Sequence, residues 1–268
     1  MTQKEKLMYQ IMGKVSESDA PIVFKGAMVT KLILAESGYT DLERQTKDID
    51  ANWIGIPPTM EDLVDTINKA LEGFNGDLYA QAIRVYDDKK SAGIAIVETA
   101  TGNRIITLDI SIKPVHGSRV YYHGEIGVRG VLANEILADK LTVMSKRLIF
   151  RRTKDIIDVY AITHCVHVVT SDIYEIFKKH PTREVGTFDE FFNRISDLEH
   201  AYNKLAGVEG KPAFDDVYSY LSIFVQPFAQ RDETPRVWFR DGLKWEDKLQ
   251  KETERSFIEI PENHLSSL

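Results

Sequence analysis

The sequence has a single cysteine, Cys165, among its 268 residues, so an internal disulfide is excluded. A reducing compartment is therefore the expected setting. No apolar run approaches the roughly 20 residues that cross a bilayer. The first ten residues lack the apolar core of a signal peptide. These absences predict a cytoplasmic protein without membrane contact.

The chain also lacks an excess of positive charge, since 34 lysines and arginines stand against 41 acidic residues. The net charge of -7 excludes a protein that coats nucleic acid through its overall charge. A local basic strip that receives an RNA end is compatible with this balance. The 43% of hydrophobic and 28% of charged residues indicate an ordinary globular chain with one large or two modest domains.

Hydrophobic periodicity divides the chain into a mixed first half and a helical second half. In the first half it predicts a strand at 47–54, a hairpin from strands 93–99 and 104–113, and helices at 2–15, 28–38 and after Thr59. In the second half it predicts a long helix with a core stripe of Leu137, Leu141, Met144 and Leu148, and helices from Thr153 and at 171–179, 187–205 and 214–225. Thr187 and Glu190 have the spacing of a capping box.

Three aspartates stand out because of their place in the predicted strands. Asp48 and Asp50 are two residues apart, so they project from one face of one strand. Asp109 is the only acid within an otherwise apolar strand, on the face opposite its isoleucines and leucine. If the strands are neighbours, the three carboxylates converge and require cations to offset their repulsion. Such ligands suit Mg²⁺ or Mn²⁺; a solvated strand face is the alternative interpretation.

A glycine turn and several cations could hold a triphosphate near these acids. Lys25-Gly26-Ala27 passes from a short apolar run into a helix, whose free N–H groups suit a phosphate. A simple turn glycine is the alternative. Lys31, Arg44 and Lys47 could steady the triphosphate or could be ordinary surface charges.

Four segments in a fixed order carry a family resemblance. They are Phe24-Lys25-Gly26-Ala27, the run from Arg44 to Asp50, the run from Glu135 to Leu141, and the run from Arg152 to Tyr160. Together they resemble the AbiEii/AbiGii-type toxin nucleotidyltransferases of the DNA polymerase beta-like superfamily.

The resemblance implies a fold and roles for individual residues. The fold is α+β, with an N-terminal nucleotidyltransferase-like mixed sheet flanked by helices in residues 1–128 and a mainly helical domain in 129–268 that closes the nucleotide cleft. The resemblance implies catalytic roles for Asp48, Asp50, Lys140 and Asp158. With Asp109, which the strand pattern adds, the predicted metal ligands are Asp48, Asp50 and Asp109. The predicted nucleotide-binding set combines the motif residues Lys25, Gly26, Ala27, Lys154 and Asp155 with the nearby cations Lys31, Arg44 and Lys47. The last acidic motif is open between Asp155 and Asp158; Asp158 is preferred because Asp155 is explained as a first-turn helix acid.

The activity implied is transfer of a nucleoside monophosphate from a nucleoside triphosphate to a hydroxyl acceptor, with Mg²⁺ or Mn²⁺ as cofactor. RNA, tRNA in particular, is the expected acceptor, and the setting is a type IV-like toxin–antitoxin or abortive-infection system. Its antitoxin would act with or without direct contact. One departure matters: the family turn reads Gly-Gly or Gly-Ser, often followed by Thr, whereas this chain has Gly26-Ala27-Met28. A degenerate nucleotide-binding module and an antibiotic-type nucleotidyltransferase are therefore the alternatives.

Two other groups of residues are interpreted as structural and not as functional. His164, Cys165 and His167 lack a second ligand pair for a zinc site. Trp238, Phe239 and Trp245 could stack on bases, but packing against the last helices is preferred.

Overall fold

A computed structural model describes residues 2–74, 77–85, 91–180 and 184–248. Its centre is a mixed sheet of seven strands in the order β4-β5-β6-β3-β1-β8-β7. The strands of the described residues are β1 Ile22–Lys25, β2 Glu43–Arg44, β3 Asp48–Trp53, β4 Leu78–Arg84, β5 Ala92–Glu98, β6 Arg104–Ser111, β7 Ser118–His123, β8 Ile126–Val131, β9 Val208–Glu209, β10 Arg236–Phe239 and β11 Lys244–Asp247. The α-helices are α1 Gln3–Glu17, α2 Gly26–Glu36, α3 Met60–Leu71, α4 Ala133–Met144, α5 Lys154–Cys165, α6 Thr170–Lys179, α7 Asp189–Asn193, α8 Ile195–Asn203, α9 Phe214–Phe224 and α10 Gln226–Ala229.

The α+β fold with its mixed sheet and flanking helices is confirmed. The predicted hairpin is the antiparallel pair β5–β6, and β3 lies parallel to β6 on the other side. Ile106, Leu108 and Ile110 of β6 are buried, whereas Asp109 and Ser111 are only partly buried. The alternation read from the sequence therefore describes the two faces of this strand correctly.

The sheet extends further along the chain than the periodicity predicts. The hairpin β7–β8 turns at Gly124, whose positive φ of 60° suits a tight turn, and β8 pairs in parallel with β1. The predicted division after residue 128 falls inside β8, so the sheet ends only at Val131. The existence of two domains stays a prediction. Strand β4, which the periodicity also missed, forms the opposite edge.

The second half is mainly helical, but two predictions about it are wrong. Leu148 does not continue the core stripe, because α4 ends at Met144 and a 3₁₀ turn at Arg147–Arg151 leaves Leu148 53% exposed. The predicted helix 187–205 is broken into α7 and α8 at Arg194. Thr187 does not cap it, since its hydroxyl binds the side chain of Asp189 and Phe188 precedes α7 in a left-handed conformation.

An aromatic cluster closes the C-terminal part of the described chain. Trp238 and Trp245 face each other across the hairpin β10–β11 with ring centroids 5.2 Å apart. Both pack on Phe224, and Trp245 also contacts Phe228. The packing predicted for the two tryptophans is therefore observed. None of the helices in the described ranges is both long enough and apolar enough to span a bilayer.

Candidate active site

A row of side chains crosses five strands of the sheet. Lys25 of β1 is opposite Asp50 of β3, and Asp50 is opposite Asp109 of β6. Asp109 is opposite Gly93 of β5, which in turn pairs with Arg84 of β4. Paired positions of neighbouring strands share a face of the sheet. Two carboxylates therefore lie side by side between a lysine and an arginine.

Asp50 is held against the first residue of helix α2. Gly26 has a φ of +70°, and a Cβ placed on it would collide with Oδ2 of Asp50 and lie 3.0 Å from Cγ. Burial raises the pKa of Asp50, and Asp109 raises it further, although Lys25 opposes the change. A nearby cation would stabilise the charged form of Asp50, because it would offset both the effect of burial and the repulsion from Asp109.

The row opens into a cleft of about 330 Å³ between the sheet and the helical half. The sheet side carries oxygen-bearing residues, namely Asp50, Asn52, Asp109 and Ser111. The helical side is formed by α4 and the start of α5, with Glu135, Asp139, Lys140, Arg152 and Asp155. Polar groups thus converge from two parts of the chain on one concave site, as expected for a site that binds a charged small molecule.

The helical wall contains a buried ionic network centred on Lys140. Its ammonium donates to Asp155 at 2.8 Å and to Asp158 at 2.6 Å. Arg44 donates to both oxygens of Asp158 at 3.0 Å, and Arg152 lies 3.0 Å from Asp155. Burial alone would lower the pKa of Lys140, but the two carboxylates outweigh it and raise the pKa. The network ties α4, α5 and the segment before β3 together.

The structure distinguishes the two acids of the last motif. Asp155 lines the cleft, and its pKa is lowered because Lys140 and Arg152 outweigh the effect of burial. Asp158 is bound on both oxygens by Arg44 and Lys140 and is not among the residues that line the cleft. Geometry therefore favours Asp155 over Asp158 as the acid that faces a ligand, against the preference drawn from the sequence.

Several other predicted site residues lie outside the cleft lining. Asp48 shares the face of Asp50 but is exposed at the start of β3, opposite Thr107, and Lys47 beside it is also exposed. Lys31 forms an ion pair with the buried Glu5 of α1. Lys154 is partly buried at the start of α5, where burial and the neighbouring Arg152 lower its pKa. Their roles toward a nucleotide stay predictions.

The burial of Met28 bears on the departure of the glycine turn from the family pattern. Met28 is 1% exposed, so its side chain belongs to the core and not to the cleft. Ala27 is partly buried in the first turn of α2. The substitution of Thr by Met at position 28 thus directs no side chain at a ligand, and the backbone N–H groups of the turn are unaffected by it.

The donor set of the cleft fits a hard divalent cation. In the described ranges no three histidine, cysteine, aspartate or glutamate side chains form a ready-made metal cage. Mg²⁺, however, is typically held by one or two carboxylates, with waters and substrate phosphates completing the shell. Asp50 and Asp109 supply two carboxylates side by side, and burial together with the charge of Asp109 raises the pKa of Asp50.

Residues that the sequence interpretation did not single out complete the cleft. Asn52 and Ser111 follow Asp50 and Asp109 at a spacing of two, so strand alternation alone could have placed them there. Arg84 donates to Asp109 at 2.6 Å from an edge strand that periodicity missed. No sequence signal marked this contact, because it depends on pairing across three strands.

Gly26 offers a test of the turn. We expect Gly26→Ala to cost about 1–2 kcal/mol for the left-handed backbone and, in addition, to push Asp50 away and abolish the nucleotide transfer that the family resemblance implies. The matched control is Gly38→Ala, where φ is +68° but nothing lies within 4 Å of the added methyl. Urea unfolding and transfer assays of both variants separate backbone strain from the collision with Asp50. Equal losses of activity in the two variants would contradict a specific role for Gly26.

Comparisons with known proteins identify the family of this chain. The family model for the AbiEii nucleotidyl transferase toxin of type IV toxin–antitoxin systems matches residues 8–244. A search of curated proteins finds no match. The crystal structure of JHP933 from Helicobacter pylori superposes with a TM-score of 0.54 at 14% identity, covering 97% of this chain and 100% of that one.

Two further solved structures align at lower TM-scores. MenT4, a nucleotidyltransferase toxin from Mycobacterium tuberculosis, gives 0.40 at 14% identity over 71% of this chain and 66% of that one. An antigenic nucleotidyltransferase-like protein from Paracoccidioides brasiliensis gives 0.41 at 12% identity over 81% and 97%. JHP933 supports the fold, and the family match extends over the sheet, the cleft and most of the helical half. The chain is therefore a nucleotidyltransferase of the AbiEii toxin family.

Proposed function

We propose that this enzyme transfers a nucleoside monophosphate from a nucleoside triphosphate to a hydroxyl group of RNA, with Mg²⁺ or Mn²⁺ as cofactor. The observation that carries the proposal is the pairing of Asp50 with Asp109 at the base of a polar cleft. Bound there, a divalent cation would neutralise phosphate charge and lower the pKa of the acceptor hydroxyl. Asp50 and Asp109 would hold it, with Asp48 at the exposed end of the same strand face.

The chain's own residues supply binding and orientation. The first turn of α2 presents backbone N–H groups from Gly26 and Ala27 beside Asp50, which suits the phosphates of the nucleotide. Lys25 reaches the amide oxygen of Asn52 at 2.6 Å and places a positive charge next to the carboxylates. Asp155 and Lys140 form the opposite wall, so a nucleotide would lie between fixed charges of both signs.

A basic segment beside the cleft supports RNA as the acceptor. Five cations fall within nine residues, namely Lys146, Arg147, Arg151, Arg152 and Lys154. Arg152 lines the cleft, and Lys146, Arg147 and Arg151 are exposed. In a chain with a net charge of -7, such a cluster, continuous in sequence with the cleft-lining Arg152, is suited to a phosphate backbone.

Removal of two of these charges should weaken RNA binding selectively. In Arg147→Gln/Arg151→Gln we expect KM for RNA to rise about tenfold and the log–log salt slope of RNA binding to fall by roughly 1.4. KM for the nucleotide is expected to stay unchanged. The matched control, Lys4→Gln/Lys6→Gln, removes two exposed charges from α1. A similar loss in the control would indicate a general effect of charge and would contradict an RNA contact at the segment.

The activity itself is tested with nucleoside triphosphates labelled at the α-phosphate. Purified protein is incubated with Mg²⁺ or Mn²⁺ and either total RNA or tRNA, and label that enters RNA is measured by gel. We expect metal-dependent transfer that is lost in Asp50→Asn. Label transferred to a small molecule in place of RNA would favour the antibiotic-type alternative. Metal-dependent nucleotide binding without any product would favour a binding module, to which Gly26-Ala27-Met28 first drew attention.

The family membership implies a cognate antitoxin. We propose that it restrains toxicity without a stable complex with this chain. Co-purification and sedimentation of the two proteins, together with growth assays, test this: rescue of growth without co-sedimentation supports the proposal, and a stoichiometric complex contradicts it.

A further inference from the structure

Asp109 already has a cation beside it in the structure, the guanidinium of Arg84. Nη2 of Arg84 donates to Oδ1 of Asp109 at 2.6 Å and to the hydroxyl of Ser91 at 2.8 Å. Nε donates to the carbonyl oxygen of Ser91 at 3.1 Å. The guanidinium is therefore bound next to the start of β5, and it contacts one of the oxygens that a metal ion would need.

A glycine makes this contact across the sheet possible. Arg84 is on the edge strand and Asp109 is two strands away, about 10 Å at the ordinary strand spacing, which an arginine side chain can span. Gly93 lies between them and pairs with both. A Cβ at Gly93 would lie 3.2 Å from Cβ of Arg84 and 3.3 Å from Cγ1 of Ile83. The absence of a side chain there leaves a path over β5 for the arginine.

We infer that Arg84, held across Gly93 against Asp109, is the resident counter-ion of the metal-free enzyme, which a divalent cation must displace in order to bind Asp50 and Asp109. The inference rests on the proposed function, because it assigns the metal to this carboxylate pair. A guanidinium and a divalent cation at contact distance from Oδ1 of Asp109 repel each other, so the two compete for this carboxylate. The side chain of Arg84 is 52% exposed, so it can move into solvent when a metal ion enters.

The need to displace Arg84 should measurably lower the affinity of the protein for a metal ion in the absence of nucleotide. Each metal-binding event must break the ion pair between Arg84 and Asp109, so the affinity of the wild-type protein is reduced. Because the pair is partly exposed, the expected reduction is modest, roughly fivefold. It also favours metal binding together with the nucleotide, whose phosphates can receive the released guanidinium.

The test is a titration of the full chain with Mn²⁺ in the absence of nucleotide, with free Mn²⁺ measured by electron paramagnetic resonance. We expect Arg84→Gln to bind Mn²⁺ roughly fivefold more tightly than wild type, and Arg84→Lys to fall between the two. Lys113→Gln removes a positive charge from the same cleft without the contact to Asp109 and is expected to change affinity less than about twofold. Asp109→Asn should weaken binding and abolish the effect of Arg84→Gln. Thermal unfolding confirms that each variant is folded.

The outcomes separate this inference from the proposed function. If Asp109→Asn weakens Mn²⁺ binding but Arg84→Gln binds as wild type does, the displacement of Arg84 is refuted and the metal site stands. Equal tightening in Arg84→Gln and Lys113→Gln also refutes it, because charge alone would then explain the effect. If neither wild type nor Arg84→Gln binds Mn²⁺, the displacement of Arg84 is refuted, and the labelled-transfer assay decides the proposed function separately. If the tightening is observed but no acceptor is labelled, the counter-ion role stands and the transferase proposal fails.

Discussion

Asp50→Asn is expected to lower nucleotide transfer on the order of a thousandfold, the scale seen when a central electrostatic group of an active site is removed. It should also raise the thermal stability of the metal-free protein. Burial and the neighbouring Asp109 raise the pKa of Asp50, so the folded state favours the uncharged form of this side chain. For an acid with a raised pKa, neutralisation stabilises the fold at neutral pH. Activity and stability should therefore change in opposite directions.

Transfer assays and thermal unfolding, each with and without Mn²⁺, measure both effects. Wild type should gain thermal stability from Mn²⁺, because the metal binds the folded state, whereas Asp50→Asn should gain little. Asp65→Asn is the control, since Asp65 is an exposed acid of α3 outside the cleft lining. It should leave transfer and stability unchanged. If Asp50→Asn keeps transfer within tenfold of wild type, the assignment of the catalytic carboxylate is wrong.

Lys140→Met is expected to destabilise the protein by about 3 kcal/mol, because it leaves two buried carboxylates without their shared cation. Lys140 is 7% exposed, and Asp155 and Asp158 are 1% and 2% exposed. Arg44 and Arg152 retain their ion pairs, which keeps the loss at the lower end of the range for buried pairs. For a chain of this size the melting temperature should fall by roughly 6–12 °C.

Lowering the pH should reduce the difference in unfolding free energy between Lys140→Met and wild type. The pKa of Asp155 is lowered in the fold from its ordinary value of 3.8, so its stabilising effect is present above that value. The effect is lost as the pH falls through the lower folded pKa. Urea unfolding at neutral pH and near pH 3 measures both predictions, with Lys113→Met as a control at the cleft surface. A loss below 1 kcal/mol at neutral pH would show that Lys140 does not stabilise the network.

The local sequence pattern was sufficient to predict the strands that carry the three aspartates. Alternation placed Asp48 and Asp50 on one face of β3 and Asp109 on the partly exposed face of β6. It failed for β4, β7 and β8, whose burial patterns do not alternate simply: six of the seven residues of β4, for example, are not buried. Strands of this kind, of which β4 and β7 are the sheet edges, are defined by their pairing with a neighbour, which a single window of sequence does not contain.

The ion-pair partners of the charged residues could not be predicted from the local sequence pattern either. Lys140, Asp155 and Asp158 were identified from the family motif, but their mutual ion pairs and the contact of Arg44 with Asp158 join segments up to 114 residues apart. Arg84 reaches Asp109 only because Gly93 lies between them. Conversely, Lys31 has the residue type of a phosphate ligand, and the fold places it against Glu5. Residue type thus predicted which side chains carry charge, and tertiary structure decided which of them meet.

The central claim is that a divalent cation binds between the carboxylates of Asp50 and Asp109. The most direct measurement is anomalous diffraction from a crystal soaked with Mn²⁺ and a non-hydrolysable nucleoside triphosphate analogue. We predict an anomalous peak about 2 Å from a carboxylate oxygen of each aspartate, with the guanidinium of Arg84 no longer on Asp109. A bound analogue with no such peak, or with Mn²⁺ at other residues, would contradict it.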